Sequence, residues 1–423
     1  MQTERIIKLI DFWNGTVTAE NLEDRIVLDT INLETNEIID ITGPRRSGKS
    51  SVLKMIIKKL KLKDNYIFMN FEDPFFIDNN NPEIVDEIIS VFKKHFNPQL
   101  KYLFFDEIQG INQWERVVNK YRELNKFKMF ITGSNSKLLE SELAALLTGR
   151  HLSYKVMPLH FTEFLNFNEI KLNNLKEVIL NERTILDLFD KYMRIGGFPE
   201  IVLTENMELA KMYFTDIIHK DIIMRHNIRQ KTVLEKMALF FIGNSSKIIS
   251  IESLKNNYNI SFEMSSSYID YIKSAFLILE LPQFSYPLKK QQKSLKKYYS
   301  IDSGIANSVS FRFSENKGSI LENIVFLHLK NSVDNLYYYK TRNNLEVDFL
   351  VLENMEIKDL IQVCWSIENP ETRAREIKSL AAAMEELNIK SSKIITYDQE
   401  EEIREGNKAI HVLPAFKWLT GVY

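Results

Sequence analysis

Eight residues, Gly43-Pro-Arg-Arg-Ser-Gly48-Lys49-Ser50, have the types and spacing of a loop that cradles phosphate. Glycines let the backbone bend until its N–H groups face phosphate oxygens. Lys49 offers a point charge to the β and γ phosphates, and Ser50 offers a hard oxygen to Mg²⁺. Such a loop needs acids on a neighbouring strand. The apolar run Tyr102-Leu-Phe-Phe ends in Asp106-Glu107. Asp106 is expected to hold Mg²⁺, directly or through water, with Glu107 orienting and polarising the attacking water. A third run, Lys128-Met-Phe-Ile-Thr132, ends in Gly133-Ser134, and Ser134 is expected to reach the γ-phosphate or that water. The residues expected to contact nucleotide are Gly43, Gly48, Lys49, Ser50 and Ser51. The expected cofactors are ATP and Mg²⁺, with Ser50 and Asp106 as metal ligands.

These side chains must be set at the tips of strands. Ile38, Ile39 and Ile41 precede the loop, and Val52, Leu53, Ile56, Ile57 and Leu60 follow it at helical spacing. Fully apolar strands that alternate with helices over residues 35 to 160 predict a doubly wound α/β domain with a parallel sheet. Further on, Leu146-Leu-Thr-Gly149-Arg150 places an arginine just past an apolar stretch. In oligomeric ATPases an arginine of one subunit often completes the neighbour's site, so Arg150 is the candidate finger.

The bulk composition bounds the rest. The chain has 423 residues, 44% hydrophobic and 26% charged, which predicts several globular domains. No apolar run reaches about 18 residues, so no membrane span is expected. The start, MQTERIIKLIDF, does not read as a secretory signal. One cysteine, Cys364, excludes an internal disulfide and fits a reducing cytoplasm. A formal net charge of −2 means that nucleic-acid contact must come from local patches.

Residues 158 to 230 read as helical, punctuated by Pro158-Leu-His-Phe-Thr-Glu-Phe164 and Gly196-Gly-Phe-Pro199. Residues 231 to 301 read as three helices and a β-hairpin, a winged helix. Five lysines fall within nine residues of that hairpin: Lys289, Lys290, Lys293, Lys296 and Lys297. A wing so charged is expected to contact DNA phosphates, with the third helix free to enter a major groove. From residue 315 an α-β-β-β-α-β order resembles the restriction-endonuclease-like fold, whose active members carry D…E-x-K. Glu322 and Asp348 stand where the acids belong, but Gln362-Val-Cys364 replaces E-x-K, losing a carboxylate and the only cation. The expectation is a vestigial nuclease site at Glu322, Asp348 and Gln362. Arg373 and Arg375 on the following helix are candidate phosphate contacts.

Together GPRRSGKSS, FFDEIQ, ITGSNS and IGGFPE resemble a prokaryotic, largely archaeal and bacterial, family of AAA+-like P-loop ATPases. That family carries a winged-helix segment and a further C-terminal domain. The resemblance implies an ATPase core over 1–160, a helical lid over 161–230, a winged helix over 231–305 and a nuclease-like end over 306–423. It also marks Asp221 as matching a recurrent family acid. The expected function is an Mg²⁺-dependent ATPase that binds or remodels duplex or branched DNA, as a homo-oligomeric ring such as a hexamer. Two alternatives stand beside it: an ATP-gated signalling or defence switch working through protein partners, and a weak metal-dependent nuclease.

Overall fold

The computed structural model describes residues 2–19, 22–134, 151–310 and 317–422. They form two compact units, Met1–Met157 and Pro158–Tyr423.

The first unit is built on five parallel strands in the order β2-β3-β4-β1-β5. The strands are β1 (Ile38–Thr42), β2 (Tyr66–Asn70), β3 (Tyr102–Asp106), β4 (Lys128–Gly133) and β5 (His151–Lys155). Side chains alternate across a strand, and here both faces are apolar. Leu103 and Phe105 of β3 enter one core with Ile67, Met69, Ile88 and Phe92. Phe104 enters the other with Phe68, Phe130, Val52 and Ile56, and its ring stacks on Phe130 at 4.6 Å. Helices supply the covering layers: α1 (Gln2–Ala19), α2 (Lys49–Lys59), α3 (Glu83–His95) and α4 (Trp114–Glu123). α1, which the sequence reading leaves unassigned, buries Ile6, Leu9 and Ile10 in the first core.

The second unit opens with helices that include α5 (Phe161–Phe167) and α6 (Glu182–Ile195), and ends its helical run in a π-helix, Ile217–Met224. The IGGFPE stretch is a tight clasp. Gly196 sits at φ +75°, and a Cβ there would lie 2.2 Å from Asp302 Oδ1. Gly197 N–H donates to Asp302 Oδ2 at 2.7 Å, and Ile305 N–H donates to Oδ1 at 2.9 Å. Asp302 also caps α10 (Ser303–Val309). Burial pushes its carboxyl up to about 6, against the pull of those backbone N–H groups.

Residues 231–300 hold α7 (Lys231–Gly243), α8 (Ile251–Tyr258) and α9 (Phe262–Ser274), with an antiparallel sheet in the order β6-β8-β7. The strands are β6 (Lys247–Ile249), β7 (Ile278–Leu281) and β8 (Lys296–Ser300). The structure adds β6 to the expected elements, and it places a short helix, Leu288–Lys293, between β7 and β8.

The chain ends with α11 (Lys317–Ser332), β9 (Asn335–Lys340), β10 (Glu346–Glu353), β11 (Glu356–Val363), α12 (Pro370–Glu386) and β12 (Ser391–Thr396). A hairpin, β13 (Glu401–Glu405) and β14 (Lys408–Pro414), extends the sheet to six strands, β13-β14-β12-β11-β10-β9. α12 buries Leu380, Ala383 and Met384 against Val347, Leu360, Ile394 and Val412. Among the described residues no helix is long and apolar enough to cross a membrane.

Candidate functional site

Strand register brings the candidate side chains of the first unit together. Asn70 lies opposite Asp106, Phe105 opposite Ile131, and Ile41 opposite Thr132, so the four strand tips are level. The phosphate loop leaves β1 there and ends at Gly48, the N-terminal cap of α2 at φ +97°. A Cβ on Gly43 would lie 2.1 Å from the Val156 carbonyl oxygen, so only glycine fits that approach. Buried Arg25 fixes the loop from behind, donating to the carbonyls of Ser47 and Met157 at 2.8 Å each. Arg25 lies 22 residues before its loop contact, and nothing in its local sequence announces it.

Lys49, Ser50, Asp106 and Glu107 converge. The Lys49 ammonium donates to the carbonyls of Gly43 at 3.2 Å and Pro44 at 3.1 Å, and lies 3.3 Å from Glu107 Oε1. Ser50 Oγ donates to Asp106 Oδ2 at 2.6 Å, and Thr132 Oγ1 donates to Asp106 Oδ1 at 2.6 Å. Two further polar groups escaped the sequence reading. Asn70 Nδ2 donates to Asp106 Oδ2 at 3.0 Å, and the Gln109 amide donates to Glu107. Both stand in stretches already singled out: Asn70 ends its strand, and Gln109 closes FFDEIQ. Thr132, two residues before Ser134, bridges the acids, because its hydroxyl also accepts the Glu107 N–H at 2.9 Å. Ser134 is fully buried at the end of β4, and Ser51 is half-buried on α2. Arg150 lies outside the described residues. Within the loop, Arg45 grips both oxygens of Glu72 at 2.8 and 3.1 Å.

The two acids are electrostatically distinct. Burial first, and the charge of Glu107 second, push Asp106 up to about 6. Burial also pushes Glu107 upward, but the Lys49 ammonium, the Gln109 amide and Arg45 outweigh it and hold Glu107 below the usual range. Glu107 is therefore ionised at neutral pH and can accept a proton from water.

The hairpin lysines divide. Lys289, Lys290 and Lys293 are exposed. Lys296 is half-buried and donates to Glu280 at 3.1 Å, and Lys273 donates to the same carboxylate. Lys297 corrects the sequence expectation: it is no phosphate contact, because its side chain is only 3% exposed and turns into the C-terminal sheet. Its Nζ lies 2.7 Å from Glu346 Oε1, 2.9 Å from Asp348 Oδ1 and 3.1 Å from Glu322 Oε1. Burial would lower the ammonium, but Asp348 above all, then Tyr299, Glu322 and Glu346, hold it well above the ordinary lysine range. Tyr299 donates to Glu322 at 2.8 Å. Burial and the Asp348 charge push Glu322 up to about 7. Gln362 Oε1 accepts the Asp348 N–H at 3.3 Å. Arg373 is paired with Glu401 and Arg375 with Glu376, so each of these helix arginines has a carboxylate of its own. Cys364 is buried, and burial first pushes its thiol up to about 12, an inert setting.

An uncharacterized protein of Methanocaldococcus jannaschii is 38% identical over 407 residues, covering 92% of this chain and 89% of its own length. The chain belongs to that protein's family. An uncharacterized protein of Haemophilus influenzae is 29% identical over 346 residues, covering 79% of this chain and 84% of its own. Within the family architecture, residues 35–165 match the AAA domain, so the phosphate loop and its acids lie in an AAA-type ATPase domain. Residues 186–316 and 317–418 match two domains of unknown function, DUF8612 and DUF4143. Among solved structures, the Aeropyrum pernix ORC1 protein in complex with DNA aligns at 10% identity, covering 73% of this chain and 92% of that one, with a TM-score of 0.29. PCH-2 of C. elegans aligns at 10% identity over 64% of this chain and 68% of that one, with a TM-score of 0.26. Scores this low bear on neither the fold nor the function of this family.

Proposed function

We propose that the protein is an Mg²⁺-dependent ATPase that uses ATP binding and hydrolysis to bind or remodel DNA. The convergence of Lys49, Ser50, Asp106 and Glu107 at the tips of parallel strands carries the ATPase reading. A hydroxyl and a carboxylate in contact beside a phosphate loop are two hard oxygens suited to Mg²⁺. When bound, the metal would neutralise charge on the phosphates. Lys49 would leave the Gly43 and Pro44 carbonyls for the phosphate oxygens. Glu107, released from Lys49 and still held by Gln109, would orient the attacking water and take its proton. In a ring of copies, Arg150 would complete the neighbour's site.

The DNA reading has narrower support. Lys289, Lys290 and Lys293 are exposed, and Lys293 lines a cavity of about 450 Å³ together with residues of α8, α9 and the hairpin. Glu252, Asp270 and Glu280 line the same cavity. Contact with three phosphates gives a slope of log affinity on log salt of about −3, much shallower than for a wing with all five lysines free. With Lys273, Lys293 and Lys296 beside those three acids the lining is mixed in charge, which supports a second reading, in which this surface docks a protein and ATP gates the docking.

One assay separates the two readings. ATP turnover would be measured with forked, four-way and plain duplex DNA, for the unmodified chain and for Lys49→Ala. Turnover is expected to vanish in Lys49→Ala, and in the unmodified chain to rise with DNA and lose that rise at high salt. Turnover indifferent to all three DNAs would transfer the proposal to a protein partner. Turnover surviving in Lys49→Ala would remove the ATPase assignment itself.

A further inference from the structure

Three tyrosine rings gather around Phe284 at the foot of the hairpin between β7 and β8. Phe284 is buried, and its ring centre lies 5.1 Å from that of Tyr286, 5.7 Å from Tyr337 and 6.3 Å from Tyr339. Tyr337 and Tyr339 stand two residues apart on β9 and so share one face. Both are half-buried, but Tyr286 is 77% exposed. Its contact with Phe284, at an interplanar angle of 72°, steadies the ring and leaves most of an aromatic plane in solvent. The foot beneath it is ordered. The Tyr338 hydroxyl donates to the Leu295 carbonyl at 2.7 Å. The Tyr338 carbonyl accepts the Phe284 N–H at 2.7 Å, and its N–H donates to the Pro282 carbonyl at 3.0 Å. Both arms of the hairpin are thereby bonded to β9, and Tyr286 projects from a fixed base.

Cations flank this plane, and they are free. Lys289, Lys290 and Lys293 are exposed, and among the described residues no carboxylate pairs with them. Neighbouring lysines are engaged: Lys273 and Lys296 by Glu280, Lys297 and Lys340 by Glu346. At the far side of the patch Arg342 is exposed, and among the described residues its guanidinium forms no salt bridge. It lies close to Tyr339. Burial first, then Glu386, push the Tyr339 hydroxyl above its ordinary range, and the Arg342 charge pulls it down. Lys289 follows Tyr286 by three residues, which span at most about 11 Å of chain. A base lying on Tyr286 therefore keeps its flanking phosphates within reach of the lysines.

An aromatic plane in solvent beside unpaired ammonium groups complements the two chemical faces of a nucleotide, its base and its phosphate. Inside a duplex each base face is covered by its neighbours, so the plane meets one only where strands end or part. The other route onto DNA, α9 in a major groove, is poorly charged. α9 carries Glu263 and Asp270, and its one basic residue, Lys273, is engaged by Asp270 and Glu280. We propose that Tyr286 stacks on an unpaired DNA base while Lys289, Lys290 and Lys293 hold the phosphates beside it, so that the hairpin binds single-stranded DNA at a duplex end. The assignment rests on the DNA reading above and adds the unpaired base as the group recognised.

Fluorescence anisotropy of labelled DNA with the full-length chain tests this on a blunt duplex, the same duplex with a single-stranded overhang, and that overhang made abasic. The abasic strand keeps every phosphate and removes the bases. The unmodified chain is expected to bind the natural overhang about tenfold more tightly than the abasic one, within the range that one stacked base supplies. Tyr286→Ala should erase that difference and leave affinity for the blunt duplex unchanged, while Tyr286→Phe keeps the difference. Tyr286 is exposed, so neither change disturbs the core. Changing Lys289, Lys290 and Lys293 together to glutamine should weaken binding to all three DNAs and flatten the salt slope on the duplex by about 3. Photoreactive iodouracil in the overhang should cross-link to Tyr286 of the unmodified chain. Equal affinity for natural and abasic overhangs, or a preference that survives Tyr286→Ala, overturns the assignment while the DNA reading stands. Binding to none of the three DNAs overturns both and passes the hairpin to a protein partner.

Discussion

Replacing Glu107 with glutamine is expected to lower ATP turnover by about 10²–10⁴-fold, the usual worth of a positioned general base. Nucleotide binding should persist. The substitution keeps the shape of a side chain that is 7% exposed and leaves Asp106, Ser50 and the loop untouched. Glu107 sits at φ +51°, on the turn that follows β3, and its backbone is anchored to Thr132. The amide should therefore occupy the site of the carboxylate but cannot take a proton from water. Lys49 loses its partner at 3.3 Å, but incoming phosphates replace it. Single-turnover hydrolysis and equilibrium binding of a fluorescent ATP analogue measure the two effects separately. A loss in turnover under about tenfold would assign the proton to another group.

Asp302→Ala should cost about 3 kcal/mol of stability, the penalty for leaving buried backbone donors without an acceptor. Its carboxylate receives the N–H groups of Gly197 and Ile305 and starts α10. The deficit should depend on pH. Asp302 is raised to about 6 in the folded chain, and an unfolded aspartate titrates near about 4. Between those values the folded chain holds a proton that the unfolded chain has released. The associated stability is complete below the unfolded value and is lost as pH rises through 6. The deficit of Asp302→Ala is therefore larger at pH 5 than at pH 7.5. Denaturant midpoints of both proteins at the two pH values check it. A constant difference would mean that Asp302 titrates normally.

The phosphate loop was legible because its chemistry is local. Eight consecutive residues specify a strand end, a bend and a helix start, and Asp106-Glu107 announce themselves at the end of an apolar run. Asn70 and Arg25 were not legible. Each works through a partner 36 or 22 residues away, and strand register or chain return decides the match. The parallel sheet was readable from strands apolar on both faces, such as β1, buried at every position. Lys297 misled because a lysine inside a basic run reads as solvated. The available signal was the stretch Lys296-Lys-Tyr-Tyr-Ser300: in a strand Lys297 shares a face with Tyr299, and a stacked buried tyrosine marks that face as interior. Arg150 sits among residues for which the argument from spacing stands alone.

β8 is bonded along both edges, to β6 and to β7, while Lys297 near its start is fastened to α11 and β10. A load on the exposed hairpin tip at residues 289–293 runs down both arms, because Tyr338 of β9 donates its hydroxyl to the Leu295 carbonyl at 2.7 Å and bonds Pro282 and Phe284 through its backbone. It reaches the six-stranded sheet first through Tyr338 and then through the ion cluster at Lys297. The hairpin is in effect pinned at neighbouring points, and whatever tugs its tip is shared between a tyrosine of the sheet and the nitrogen atom with three acids around it.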